Sequence, residues 1–147
     1  MANNMLAALE PLLGDWDAFI SETRFLDKPD ATIKGEAGIK RELDGAVVVM
    51  RASFKDAHVP LGQWVIGADD DHRTYSALYH DNRGVARLFQ MSFLERVLEF
   101  WRYAPGFSQR FSAQLDKAGR ILAGEWQFSH DNVSWHRDFR VTYTRRS

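Results

Sequence analysis

Four polar residues stand alone on otherwise apolar strand faces, and they carry the chain's clearest chemistry. Arg41 lies between Ile39 and Leu43, Arg87 between Val85 and Phe89, Gln109 between Phe107 and Phe111, and Arg137 between Trp135 and Phe139. Residues two apart share a strand face, so each would project among hydrophobic neighbours. Turned inward, the arginines set cations against aromatic walls, for which Trp64, Tyr75, Phe89, Trp101, Phe111, Trp126 and Phe139 are the candidates. A guanidinium fork grips a carboxylate or phosphate through paired N–H donors. Glu99, between Val97 and Trp101, and Glu125, beside Trp126, are the carboxylates placed for acid/base work in an apolar pocket. Both are equally explained as partners of the arginines. A one-residue slip on any strand would also turn its whole set outward.

Other chemistries have less support. The five histidines, His58, His72, His80, His130 and His136, fall mostly in or beside turns, and none has the helical i, i+4 spacing of a metal pair. His136 shares a strand face with Asp138, which would orient the ring for a metal or a haem. The chain has no cysteine, no Gly-x-Ser-x-Gly and no phosphate loop, and Asp69-Asp70-Asp71 lacks the spaced ligands of a calcium loop. No metal, cofactor or catalytic residue is therefore assigned.

The elements that must position these groups read as strands. The 147 residues suit one domain, 1–147, with a core of its own. Ten Phe, five Trp and four Tyr favour extended structure. Asn3 or Asn4 caps a short helix with Met5, Leu6, Leu9, Leu12 and Leu13 on one face; Pro11 limits it to about Glu10, with a tighter turn up to Gly14. Strands are predicted over 16–25, 33–43, 46–54, 63–68, 74–80, 85–92, 97–103, 107–115, 120–129 and 134–144. Turn signals such as Leu26-Asp27-Lys28-Pro29-Asp30, Asp44-Gly45 and Pro105-Gly106 separate them. No helical pattern long enough for a parallel crossover intervenes. The fold class is thus all-β, a roughly ten-stranded antiparallel up-and-down barrel with a short N-terminal helix.

Gly14-Asp15-Trp16 on the first strand and Arg145 on the last resemble the lipocalin-type (calycin) arrangement, in which a Gly-x-Trp and a late Arg pack together at the closed end. An Arg over a Trp face is a known attraction. Tyr79-His80-Asp81-Asn82-Arg83-Gly84, Gly124-Glu125-Trp126-Gln127-Phe128-Ser129-His130-Asp131 and Trp135-His136-Arg137-Asp138-Phe139 are similar to a bacterial family of lipocalin-like barrels with no agreed activity. Fatty-acid-binding proteins insert two helices after the first strand, and 25–32 leaves no room for them. Nitrobindin-like haem barrels are closer in shape, but Asp17-Ala18-Phe19 stands where their glycine-rich strand would be.

The expectation is a binding protein that holds a small amphipathic molecule, its apolar body against aromatics and its anionic end on Arg41, Arg87 and Arg137. The alternative is an enzyme in the same cavity, through Glu99 or Glu125, or a haem barrel through His136. The net charge of −1 argues against nucleic acid. No stretch has membrane-spanning length, and the N-terminus lacks the basic start of a signal peptide, so a cytoplasmic protein is expected. Ile20, Phe25, Val48 and Met50 cannot all be placed inward on this reading, which predicts an apolar outer wall and a two-fold dimer.

Overall fold

The computed structural model describes residues 4–26, 28 and 30–147. Its strands are β1 (Gly14–Ser21), β2 (Ile33–Glu42), β3 (Val47–Phe54), β4 (Gly62–Asp69), β5 (Thr74–Asp81), β6 (Ala86–Leu94), β7 (Val97–Arg102), β8 (Ser108–Leu115), β9 (Ile121–Ser129) and β10 (His136–Arg145). Each pairs antiparallel with the next, and β1 pairs with β10, so the sheet closes on itself. Closure leaves no strand edge for another chain to extend. It also gives the barrel a connected interior and two unlike ends.

One end is shut by a 3-10 helix, Asn4–Leu12, whose Leu6, Leu9 and Leu12 are buried in the barrel. Burying each such leucine contributes about 1.5–3 kcal/mol. The tight helix runs on through Pro11 rather than stopping near Glu10: the Glu10 carbonyl accepts from the Leu13 N–H at 3.1 Å, and the three carbonyls after it find side-chain donors. Trp16 Nε1 donates to the Leu12 carbonyl at 3.0 Å, and the Arg145 guanidinium donates to the carbonyls of Pro11 and Leu13. The Arg145 guanidinium carbon also sits 4.2 Å from the Trp16 ring centroid, and its Nε donates to the Gly119 carbonyl at 2.9 Å. Trp16 itself is 1% exposed and faces Arg145 across the β1–β10 seam. Gly14 has φ +133°, and a Cβ there would lie 2.6 Å from Arg145 Nη1, so no side chain fits beside that clasp. Of the two expected caps, Asn4 begins the helix, while Asn3 lies outside the described residues, as do Asp27 and Pro29 of the expected turn.

Three local features differ from the sequence reading. β1 ends at Ser21, not Phe25, because Glu22 turns with φ +50° and leads the chain along the open end. The β2–β3 hairpin turns one residue early: Leu43 and Asp44 both take positive φ, and Gly45 N–H bonds the Glu42 carbonyl at 3.1 Å. Ile20, Val48 and Met50 all point inward and are buried, while Phe25 packs over the mouth; the outer wall expected from them is absent. The barrel is wide enough to take all three. Apolar residues do face outward elsewhere, along the row Val49, Val65, Leu78 and Leu88 on four adjacent strands.

Candidate functional site

A barrel of ten strands is wider than side chains alone need fill, and a cavity of about 380 Å³ opens at the end away from the helix. Its wall is uneven. Trp64, Phe89, Phe100, Phe111 and Trp126 come from β4, β6, β7, β8 and β9 and fill one side. Trp64 stacks on Phe100 at 4.5 Å between centroids and on Trp126 at 5.8 Å, with Phe89 edge-on to Trp126 at 5.7 Å. The opposite side, from β1, β2, β3 and β10, carries Ile20, Ile39, Met50, Ala52 and Val141 together with Phe54, Phe139 and Tyr143. The free volume therefore has one face of stacked aromatics and one of mixed aliphatic and aromatic side chains. This is the lining expected of a site for an apolar body.

The mouth is polar and holds three clusters. At the first, Arg87 Nη1 donates to Gln109 Oε1 at 2.8 Å. Arg102 is the register partner of Gln109, and its guanidinium carbon lies 5.9 Å from the Phe89 ring centroid. Burial, and then the charge of Arg87, lower the pKa of Arg102. Among the described residues neither arginine has an acidic partner, so two neighbouring cations stand un-neutralised at the open end, Arg87 lining the cavity and Arg102 beside it.

At the second, Tyr79 donates to Asp81 Oδ2 at 2.8 Å, and Arg83 reaches the same oxygen through Nε at 3.0 Å and Nη2 at 2.6 Å. The Arg83 bonds hold the Asp81 carboxyl well below the usual carboxylate range, against its burial. Burial and then Asp81 push the Tyr79 phenol up. This cluster is internally satisfied. His58 lies beside it on the rim, its Nδ1 2.8 Å from Asp56 Oδ1.

The third cluster ties the segment after β1 to β10. The Arg24 N–H donates to the Asp138 carbonyl at 3.1 Å, Arg24 Nε lies 2.9 Å from Asp138 Oδ1, and Phe25 meets Phe139 edge-on at 5.9 Å. The Arg24–Asp138 contact is close but poorly aligned, leaving Asp138 Oδ1 without a hydrogen bond. Burial raises the Asp138 carboxyl more than Arg24 lowers it.

Among the residues singled out from sequence, Arg87, Gln109 and Trp126 line the cavity. Arg41 and Tyr75 face inward, but at the shut end. Arg41 Nη1 pairs with Glu10 at 2.9 Å, and Tyr75 donates to the Met5 carbonyl, so both anchor the helix rather than face the cavity. Arg137 points outward, contrary to the alternation, because β10 carries a bulge between Arg137 and Phe139 that shifts every residue before it by one. Outside, Arg137 holds Glu125 at 2.8 Å and Glu22 at 3.0 Å, which also places Glu125 on the exterior. Glu99 and Trp101 lie on the outer face of β7, where Leu98 and Phe100 are the buried positions. His136 is exposed and does not line the cavity; its ring packs 5.6 Å from Phe128.

The sequence reading missed Arg102, Asp138, Arg24, Tyr79 and Tyr143. Arg102, Tyr79 and Tyr143 had a signal, since each is two residues from an inward position, Phe100, Ala77 and Val141; Arg24 and Asp138 had none, because loop path and bulge decide them. Among the described residues no group of three His, Cys, Asp or Glu side chains is placed to hold a metal, and no helix is long and apolar enough to cross a membrane.

No protein-family model matches the chain, and no curated protein sequence is significantly similar to it. Among solved structures, the crystal structure of Rv2717c from M. tuberculosis is similar over 100% of both chains, with a TM-score of 0.69 at 12% identity. At that identity the likeness concerns the barrel fold alone.

Proposed function

We propose that this barrel binds a small amphipathic molecule with an anionic end. The observation that carries this reading is the un-neutralised pair Arg87 and Arg102 at the mouth of an aromatic-walled cavity. Two close guanidiniums repel, and burial adds to the cost. An anion between them removes both penalties and meets a set of charge-assisted donors. The apolar body would lie between the Trp64–Phe100–Trp126 stack and the mixed aliphatic and aromatic wall of β1, β2, β3 and β10. Arg41 and Arg137, once grouped with Arg87, are neutralised elsewhere and drop out of the site.

Native mass spectrometry of the purified protein tests this reading. A bound anionic amphipath is expected, and it should be lost in Arg87→Ala/Arg102→Ala while the barrel stays folded. A ligand retained undiminished by the double variant would overturn it. The enzyme alternative moves from Glu99 and Glu125 to Asp138, the carboxyl that does line the cavity and is raised by burial. Under it, Asp138→Asn would abolish turnover and spare binding.

A further inference from the structure

Tyr143 is the polar side chain that anion binding at the mouth leaves unused. It lines the same cavity from β10, only 9% exposed, and lies two residues from the Arg145 clasp, toward the shut end. Its register neighbours are Ala18 and Leu122, and Ile20, Ile39, Leu98 and Val141 surround that part of the cavity. The other tyrosines are accounted for. Tyr75 donates to the Met5 carbonyl, Tyr79 donates to Asp81, and Tyr103 is exposed. Thr23 Oγ1, Arg41 Nε, Glu42 Oε2 and Asp138 Oδ1 are buried without a hydrogen-bond partner; among the tyrosines of the described residues, Tyr143 lines the cavity and its hydroxyl makes no hydrogen bond within the chain.

Buried polar groups are as a rule hydrogen-bonded, and phenylalanine would fill the same space without that cost. A hydroxyl kept there therefore has a function that packing does not supply. Its burial in apolar surroundings pushes its ionisation up, so it remains a neutral phenol able to donate. The cations lining the cavity, Arg24, Arg83 and Arg87, all stand at the open end, so nothing deep in the barrel favours a second negative charge. Resting on the proposed anion site, we infer that the ligand is bipolar: an acid at the mouth, an apolar body, and a neutral acceptor oxygen, hydroxyl or carbonyl, at its far end bonded to Tyr143. The barrel would thus measure its ligand between two polar stations, taking hydroxylated or oxo-substituted amphipathic acids over plain ones of equal length.

A matched series tests it: ω-phenylalkanoates from butanoate to octanoate and their para-hydroxy counterparts, titrated calorimetrically into wild type and Tyr143→Phe. At one chain length the wild type should prefer the hydroxylated acid. Tyr143→Phe should erase about a 3- to 10-fold share of that preference, the worth of one hydrogen bond, while the plain acid binds as before. Free Tyr143→Phe should be at least as stable as wild type, since it removes an unsatisfied group. A preference that survives Tyr143→Phe, none at any length, or a destabilised free variant would each overturn the inference. Loss of the plain acid in Arg87→Ala reports on the mouth alone; if no acid binds the wild type, both readings fall.

Discussion

The two ends of the barrel contain the same kinds of residue and use them in opposite ways. At the shut end, Arg145 lies over Trp16 and spends its donors on the carbonyls of Pro11, Leu13 and Gly119. At the open end, Arg87 and Arg102 lie near Phe107 and Phe89; Arg87 donates to Gln109, and among the described residues neither has an acidic partner. Tyrosine divides differently: Tyr75 bonds the helix and Tyr79 bonds Asp81 at the mouth, while Tyr143, deeper in the cavity, makes no hydrogen bond within the chain. Where polar groups are paired within the chain they hold the fold. At the cavity end, Arg87 and Arg102 at the mouth lack an acidic partner, and Tyr143 within lacks a hydrogen bond to the chain.

Substitutions should separate the two ends, beginning with the largest effect. Trp16→Ala removes a fully buried ring and is expected to cost about 3–5 kcal/mol in chemical denaturation. A loss under about 1 kcal/mol, the scale of surface changes, would place that ring outside the core. Arg145→Ala should cost about 2–4 kcal/mol, since it frees carbonyls at the helix end and a cation–π contact. Arg87→Ala should alter stability by no more than about 0.5 kcal/mol, because it relieves one member of an unpaired cationic couple. Equal losses from the two arginine variants would erase the distinction between the ends.

A smaller effect appears with pH, at two mouth carboxyls shifted in opposite senses. Asp81 is lowered by Arg83, so it contributes stability above the ordinary carboxylate value of about 4 that is lost as pH falls below it. Asp138 is raised by burial, so its protonated form favours the fold, and that contribution is lost as pH rises through its folded value. Asp81→Asn should therefore be less stable than wild type at neutral pH, with the gap narrowing in acid. Asp138→Asn should be the more stable at neutral pH, with its advantage fading below about pH 4. Thermal melts across that range check both signs.

How much of this was legible in the sequence depended on what each strand shows on its two faces. β6 and β8 alternate without interruption, so Arg87 and Gln109 fall on the cavity side as the spacing implies. β7 is apolar on both faces, with Val97 and Trp101 on one and Leu98 and Phe100 on the other. Glu99 and Trp101 were therefore read inward, and Arg102 was missed. In β10 the bulge after Arg137 occurs without a glycine to signal it, and it turns Arg137 out and brings Asp138 to the cavity. Arg41 and Tyr75 were placed on the correct side of the wall but at the wrong end. Alternation tells inside from outside; only the helix, closing one end, tells plug from mouth. The clasp of Trp16 and Arg145 was legible because both stand at chain termini that closure must bring together.

The cationic mouth is most directly tested by calorimetric titration of 6-phenylhexanoate against its uncharged primary amide, which differ only at the end meant for Arg87 and Arg102. The acid should bind wild type at least about tenfold more tightly, a difference of about 1.4 kcal/mol. That preference should vanish in Arg87→Ala/Arg102→Ala. Acid and amide bound equally by the wild type would contradict an anion site at the mouth.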